Sequence, residues 1–175
     1  MLTSDLAPLT LTLAQWGAGD PAAMAWLDAP PVPALDAARR QLEALGALDG
    51  EGRITAFGRN VASLPMDPAQ AAMILHGTEL GAGGTAAKLA LLLQERGLGG
   101  RSEDLSQRLS RWDGDRSPRA DASRKLAGGW ARRARTLVEN AEQGDDVPAG
   151  VLLALGRPDM LARLSLIHIS ETTRQ

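Results

Sequence analysis

The chain has 175 residues, with 19 Lys and Arg against 21 Asp and Glu, so it can hold one domain or two small ones and bury a core. It has no Cys, which excludes a disulfide framework and a thiolate metal site, and its apolar stretches are too short and interrupted for a membrane span or signal peptide; a soluble, cytoplasmic protein is expected. Hydrophobic content is 44% but aromatics only 3% (four Trp, one Phe, no Tyr), which favours helices packed through Ala and Leu over a β-sandwich.

In chain order, Thr3, Ser4 and Asp5 offer N-caps for a helix through Trp16, with Leu6, Leu9, Leu13 and Trp16 on one face and Gly17 and Gly19 ending it. Asp20 should cap a short helix starting at Pro21, with Trp26 and Leu27 as its apolar anchors. Beyond Pro30, Pro31 and Pro33, a stronger helix is predicted from about Ala34 to Leu45. Its buried stripe is Leu35, Ala38, Leu42 and Leu45, and Gly46 is its C-cap. Ala47 to Thr55 reads as two short strands about an Asp49-Gly50 turn, and Thr55 as the cap of a helix to about Leu64. Helices followed by a small β-hairpin predict a winged helix over residues 1–66, the hairpin being the wing.

From Asp67 the pattern is helical, with helices at about 68–79, 84–96, 102–112, 120–143 and 148–155 making a helical bundle over 67–163. Leu89, Leu91, Leu92 and Leu93 make the second of these central and nearly all buried. The expected fold class is therefore mainly α, a winged helix with a small β-hairpin followed by a helical bundle.

Chemistry-bearing motifs are missing. The Gly81–Gly84 stretch lacks the Gly-Lys-Ser/Thr that would cradle phosphates, and there is neither an Asp-Glu-x-His box nor a Gly-x-Ser-x-Gly elbow. Glu103-Asp104 and Asp145-Asp146 fall where helices begin and suit capping. His76 lies on an apolar helix with no polar partner expected at helical spacing, so no catalytic residue and no metal ligand is predicted. Charge is unevenly spread: residues 1–100 carry six basic and ten acidic side chains, whereas residues 101–135 carry ten basic and five acidic. Such a block is either a polyanion contact or a solvated Arg-rich helix face.

Four blocks carry a resemblance. Leu45-Gly46-Ala47-Leu48-Asp49, then Arg53-Ile54-Thr55-Ala56-Phe57-Gly58-Arg59, then Leu64-Pro65-Met66-Asp67-Pro68 resemble the region after the second RecA domain in DEAH/RHA helicases. Ser4 to Trp16-Gly17 with Asp20-Pro21 and Trp26 to Pro31, Ala87 to Arg96, and Gly150 to Leu155 with Pro158-Asp159 are similar to the bacterial HrpB branch of that family. The likeness covers residues 1 to about 163. It implies a winged helix lacking its first turn, and a ratchet-like helicase-associated bundle that serves as a floor for single-stranded RNA or DNA. ATP and Mg would be bound by RecA-like motor domains of the parent chain, so this stretch is expected to be inactive alone. Such a floor needs cations and a stacking side chain; the candidates are Arg124, Lys125, Trp130, Arg132 and Arg135, with Arg133 pointing elsewhere and Arg108, Arg111 and Trp112 a second cluster. Leu164 to Gln175 resembles a translated sequencing adapter and is expected to be disordered and not biological.

Two other readings are a helical scaffold module and a free-standing winged-helix DNA-binding regulator. The regulator needs a basic recognition helix, yet residues 32–64 set Arg39, Arg40, Arg53 and Arg59 against Asp36, Glu43, Asp49 and Glu51.

Overall fold

The computed structural model describes residues 5–18, 25–141 and 147–158, which form eight helices. These are α1 (Ala7–Gln15), α2 (Val32–Ala44), α3 (Ala56–Ala62), α4 (Pro68–Glu79), α5 (Gly83–Gln94), α6 (Leu105–Gly114), α7 (Pro118–Leu137) and α8 (Ala149–Gly156). Residues up to 71, together with 156–158, make one unit, and residues 72–155 make a second. The expected segments from Thr3 to Ser4, from Asp20 to Met24, around Asp145-Asp146 and from 164 to 175 lie outside the described residues.

In the first unit α1 packs on α2 and α3. Leu35, Ala38, Leu42 and Leu45 are buried, as the stripe of α2 requires. Gly46, at φ +74°, ends α2 in a Schellman turn: Ala47 N–H donates to Leu42 O (2.8 Å) and Gly46 N–H to Glu43 O (2.9 Å). The buried side of α1 differs from the expected one. Ala7, Thr10 and Leu11 are buried, Leu6, Leu9 and Leu13 lie at the margin, and Trp16 is exposed. The small side chains of Ala7 and Thr10 let α1 approach its neighbours closely, which turns the leucines to its flank. Residues 25–31 are not helical, and Leu27 is fully exposed rather than an anchor. The prolines explain this, since Pro31 sits at φ −59°, ψ 128°, in the polyproline II region.

The expected β-hairpin is also corrected. Among the described residues there is no strand, and Leu48 and Ile54 form only an isolated antiparallel bridge. The ladder has no room to lengthen, because both of its ends are committed to helix caps. Leu48 N–H is taken by Leu42 O (3.2 Å) at the end of α2. On the other side Thr55 Oγ1 accepts from Gly58 N–H (2.9 Å) and donates to Gly46 O (2.6 Å), so Thr55 already caps α3. The turn itself is well held: Asp49 Oδ1 accepts from Glu51 and Arg53 N–H (both 2.9 Å), and Arg53 pairs with Asp49 (2.9 Å) and Glu51 (2.6 Å). Bonds from the Arg53 backbone, then from its side chain, lower the Asp49 pKa; the turn gains from them above the ordinary aspartate range and loses them as pH falls through the lowered pKa.

The second unit is built on α5, which packs against α7 and α6. Leu89, Leu91 and Leu92 are buried as expected, whereas Leu93 is about half exposed. Ala86 of α5 and Leu152 of α8 both press against Gly77 of α4, where a methyl group would stand 2.7 Å and 3.1 Å from them. Asp104 caps α6 by accepting from Ser106 N–H (2.8 Å) and Gln107 N–H (3.2 Å), which gives the Glu103-Asp104 pair its structural role. His76 does meet a partner at helical spacing, Glu79, through Nδ1 (2.8 Å). Among the described residues, no helix is long and apolar enough to cross a membrane.

Candidate nucleic-acid interface

The Arg-rich block lies on α6 and α7, and α7 exists because its sequence is built for it. Ser117 caps it by accepting from Ala120 N–H (3.2 Å), Pro118 occupies the first turn, and Asp121 complements the dipole there. Ala120, Ser123, Ala127 and Ala134 form its buried stripe at 3-to-4 spacing. Helix geometry, about 100° per residue, then places every other side chain. Lys125 and Arg132, seven positions apart, share the face opposite that stripe, and both are exposed. Gly128 and Gly129 sit between them; the Arg132 guanidinium lies over Gly128, and nothing stands within 4 Å of a methyl at Gly129. Neither cation makes an ion pair among the described residues.

The other candidates are placed apart from that face. Arg135 is exposed on one flank and donates from Nη1 to Val138 O (3.3 Å). Trp130 is half-buried on the opposite flank, toward Leu126 and Arg133, so it does not lie between the cations. Arg124 looks inward: Nη1 donates to Trp112 O (2.6 Å) at the end of α6, and Nη2 pairs with Asp121. Its side chain is only 25% exposed. Arg133 points to the Trp130 side of α7, away from Arg135.

In the second cluster, Arg108 bridges the end of α5, donating to Leu98 O (3.0 Å), Leu92 O (3.1 Å) and Glu95 O (3.4 Å). Cations suit this position, because the last carbonyls of a helix lack intrahelical donors and carry its negative pole. Trp112 is fully buried and cannot stack on a base. These roles were hidden in the sequence, since they depend on which helix end each arginine reaches. Arg108→Ala strands three carbonyls and is expected to cost about 1.5–3 kcal/mol, read as a lower midpoint in urea unfolding. An unchanged midpoint would show that the cap contributes nothing.

Residues 38–66 match the winged-helix part of the helicase associated domain (HA2). The ATP-dependent RNA helicase HrpB of Escherichia coli is 50% identical over 95 residues, 54% of this chain and 12% of that protein. A crystal structure of the Escherichia coli DEAH/RHA helicase HrpB matches 89% of this chain at 37% identity with a TM-score of 0.67. Over these stretches the chain is similar to the HrpB-type DEAH helicases. A second crystal structure, of the Escherichia coli DExH-box NTPase HrpB, agrees over 87% of the chain with a TM-score of 0.64. A more distant relative, the pre-mRNA-splicing factor ATP-dependent RNA helicase prp22 of Schizosaccharomyces pombe, is 36% identical over 77 residues. The chain spans 18% of the solved HrpB chains it matches, and the stretch it is similar to includes their helicase-associated part. The HA2 match begins inside α2 and ends just before α4, covering the Schellman turn, the Asp49 turn and Thr55-capped α3.

Proposed function

We propose that this region contacts the backbone of single-stranded RNA or DNA through α7, as an accessory part of a cytoplasmic ATP-dependent helicase. Lys125 and Arg132 make the central contacts and Arg135 a marginal one, while Trp130 offers its exposed edge to a base only on the opposite flank. Arg124 is a positioning residue that holds α6 against α7. ATP and Mg would be bound by RecA-like motor domains in the longer protein, to which the winged-helix part would couple strand movement.

The carrying observation is the Lys125–Arg132 face: two exposed cations on one face, without carboxylate partners among the described residues, with glycines between them. Phosphate neutralisation is the physical term such a face supplies, and it is salt-dependent. The test is fluorescence anisotropy of a labelled single-stranded RNA titrated with the chain. Weak, salt-sensitive binding without ATP hydrolysis is expected, and the Lys125→Ala/Arg132→Ala double variant should bind several-fold more weakly. Equal affinity of wild type and double variant overturns the assignment of the face, and ATP hydrolysis by the pure chain overturns the accessory role.

A further inference from the structure

Gly128 and Gly129 stand side by side in the interior of α7, where alanine would favour the helix more. Neither has a positive φ, so the backbone does not require glycine at either position. Packing does not require it either. A methyl group at Gly129 would meet nothing within 4 Å, and one at Gly128 would meet only Arg132 Nη1, at 3.4 Å. Gly77 is the opposite case, since a methyl there would stand 2.7 Å from Ala86 of α5. Among the described residues, no neighbour gives α7 a reason to carry its two glycines.

Their place on the helix supplies one. Lys125 and Arg132 are exposed and lie about 10 Å apart along the axis, with both glycines in that interval. Around the axis Gly129 is about 40° from Lys125 and about 60° from Arg132, so it belongs to the same face. It leaves the helix surface between the two cations bare. Gly128 lets the Arg132 side chain fold back, with its guanidinium low against the main chain. Two cations without carboxylate partners call for an anionic occupant, and the bare surface says which kind. An acidic peptide carries its charges at the ends of side chains, which can reach two cations while its main chain stays clear of the helix. A phosphodiester carries its charge in the backbone itself, so that backbone has to come down onto the helix.

We infer, on the strand contact proposed above for α7, that Gly129 is a close-approach residue: the phosphodiester backbone of the strand runs over it from Lys125 to Arg132, against the helix main chain. Gly128 keeps the Arg132 guanidinium low enough to meet the same strand. A side chain at position 129 stands in the path of the strand and lifts its phosphates away from both cations. Attraction between exposed charges falls with separation and is screened by salt, so one displacement weakens both contacts together.

Fluorescence anisotropy of a labelled single-stranded RNA, titrated with the full chain, tests this in Gly129→Ala and Gly129→Gln. Both changes are uncharged and favour a helix, so the urea midpoint should equal or exceed that of wild type. Affinity should nevertheless fall, several-fold for Ala and further for Gln, which separates the effect from unfolding. Gly150→Gln, on α8, is the control: a methyl there also meets nothing within 4 Å, and affinity should stay at the wild-type level. Wild-type affinity in both Gly129 variants, or an equal loss in Gly150→Gln, overturns the inference. If Lys125→Ala/Arg132→Ala still binds weakly in that case, the basic face stands and only the close approach falls. If the double variant also binds like wild type, the proposed function falls with it. Displacement of the RNA by polyglutamate as readily as by unlabelled RNA overturns the choice of a phosphodiester.

Discussion

Gly58→Ala is expected to destabilise the chain by at least about 2 kcal/mol, against the usual preference of helices for alanine. In an unconstrained helix interior the same change would stabilise by about 1 kcal/mol. Gly58 lies in the first turn of α3, directly over the Ala47 carbonyl. A methyl group there would overlap the Ala47 oxygen and stand 2.9 Å from both the Ala47 carbonyl carbon and Ile54 Cγ1. Ala47 O cannot retreat, because it also accepts from Thr55 N–H (3.0 Å). The methyl therefore pushes α3 off the turn and breaks the Thr55 cap, an overpacking cost at the upper end of the usual range. Urea unfolding decides by sign: a midpoint equal to or above wild type contradicts the close approach of α3 to Ala47.

Trp112→Ala should be at least as damaging, about 3–5 kcal/mol, because it empties the largest fully buried side chain among the described residues. Trp112 does two jobs. Its side chain is buried on α6, the helix that packs against α5, and its carbonyl receives Arg124 of α7 (2.6 Å). Its Nε1 is buried without a partner among the described residues. Trp112→Phe removes that unpaired donor and keeps an aromatic ring, so its cost should stay within about 1.5 kcal/mol. Thermal unfolding of the two variants separates the effects. Equal losses for Ala and Phe would contradict this, because the phenyl ring would then recover none of the packing that Trp112 provides.

Features governed by neighbours a few residues apart were legible in the sequence. Gly46 ends α2, Thr55 caps α3, Asp104 caps α6, and the α2 stripe is buried, because each depends on local geometry alone. The wing was over-read: an Asp-Gly turn between apolar residues looks like a hairpin, but the residues flanking it are already spent on the caps of α2 and α3. Tryptophans were hard to assign for a different reason. Trp16, Trp112 and Trp130 all sit at helical spacing with apolar residues, yet they are exposed, fully buried and half-buried respectively. Only the packing of one helix on another distinguishes them. The arginines show the same limit, since Arg108 and Arg124 reach across to the ends of other helices, whereas Lys125 and Arg132 face outward. What the sequence shows as one basic block is, in three dimensions, two helix caps and an open face.

One set of measurements separates the helix caps from the open face: the unfolding midpoint and the slope of log affinity for single-stranded RNA against log salt, in Arg124→Ala and in Lys125→Ala/Arg132→Ala. The first variant should lose stability, by about 1.5–3 kcal/mol, and keep the wild-type slope. The second should keep its midpoint and lose about 0.7 in slope for each phosphate contact removed. A wild-type slope in the double variant, with a reduced one in Arg124→Ala, would contradict the account.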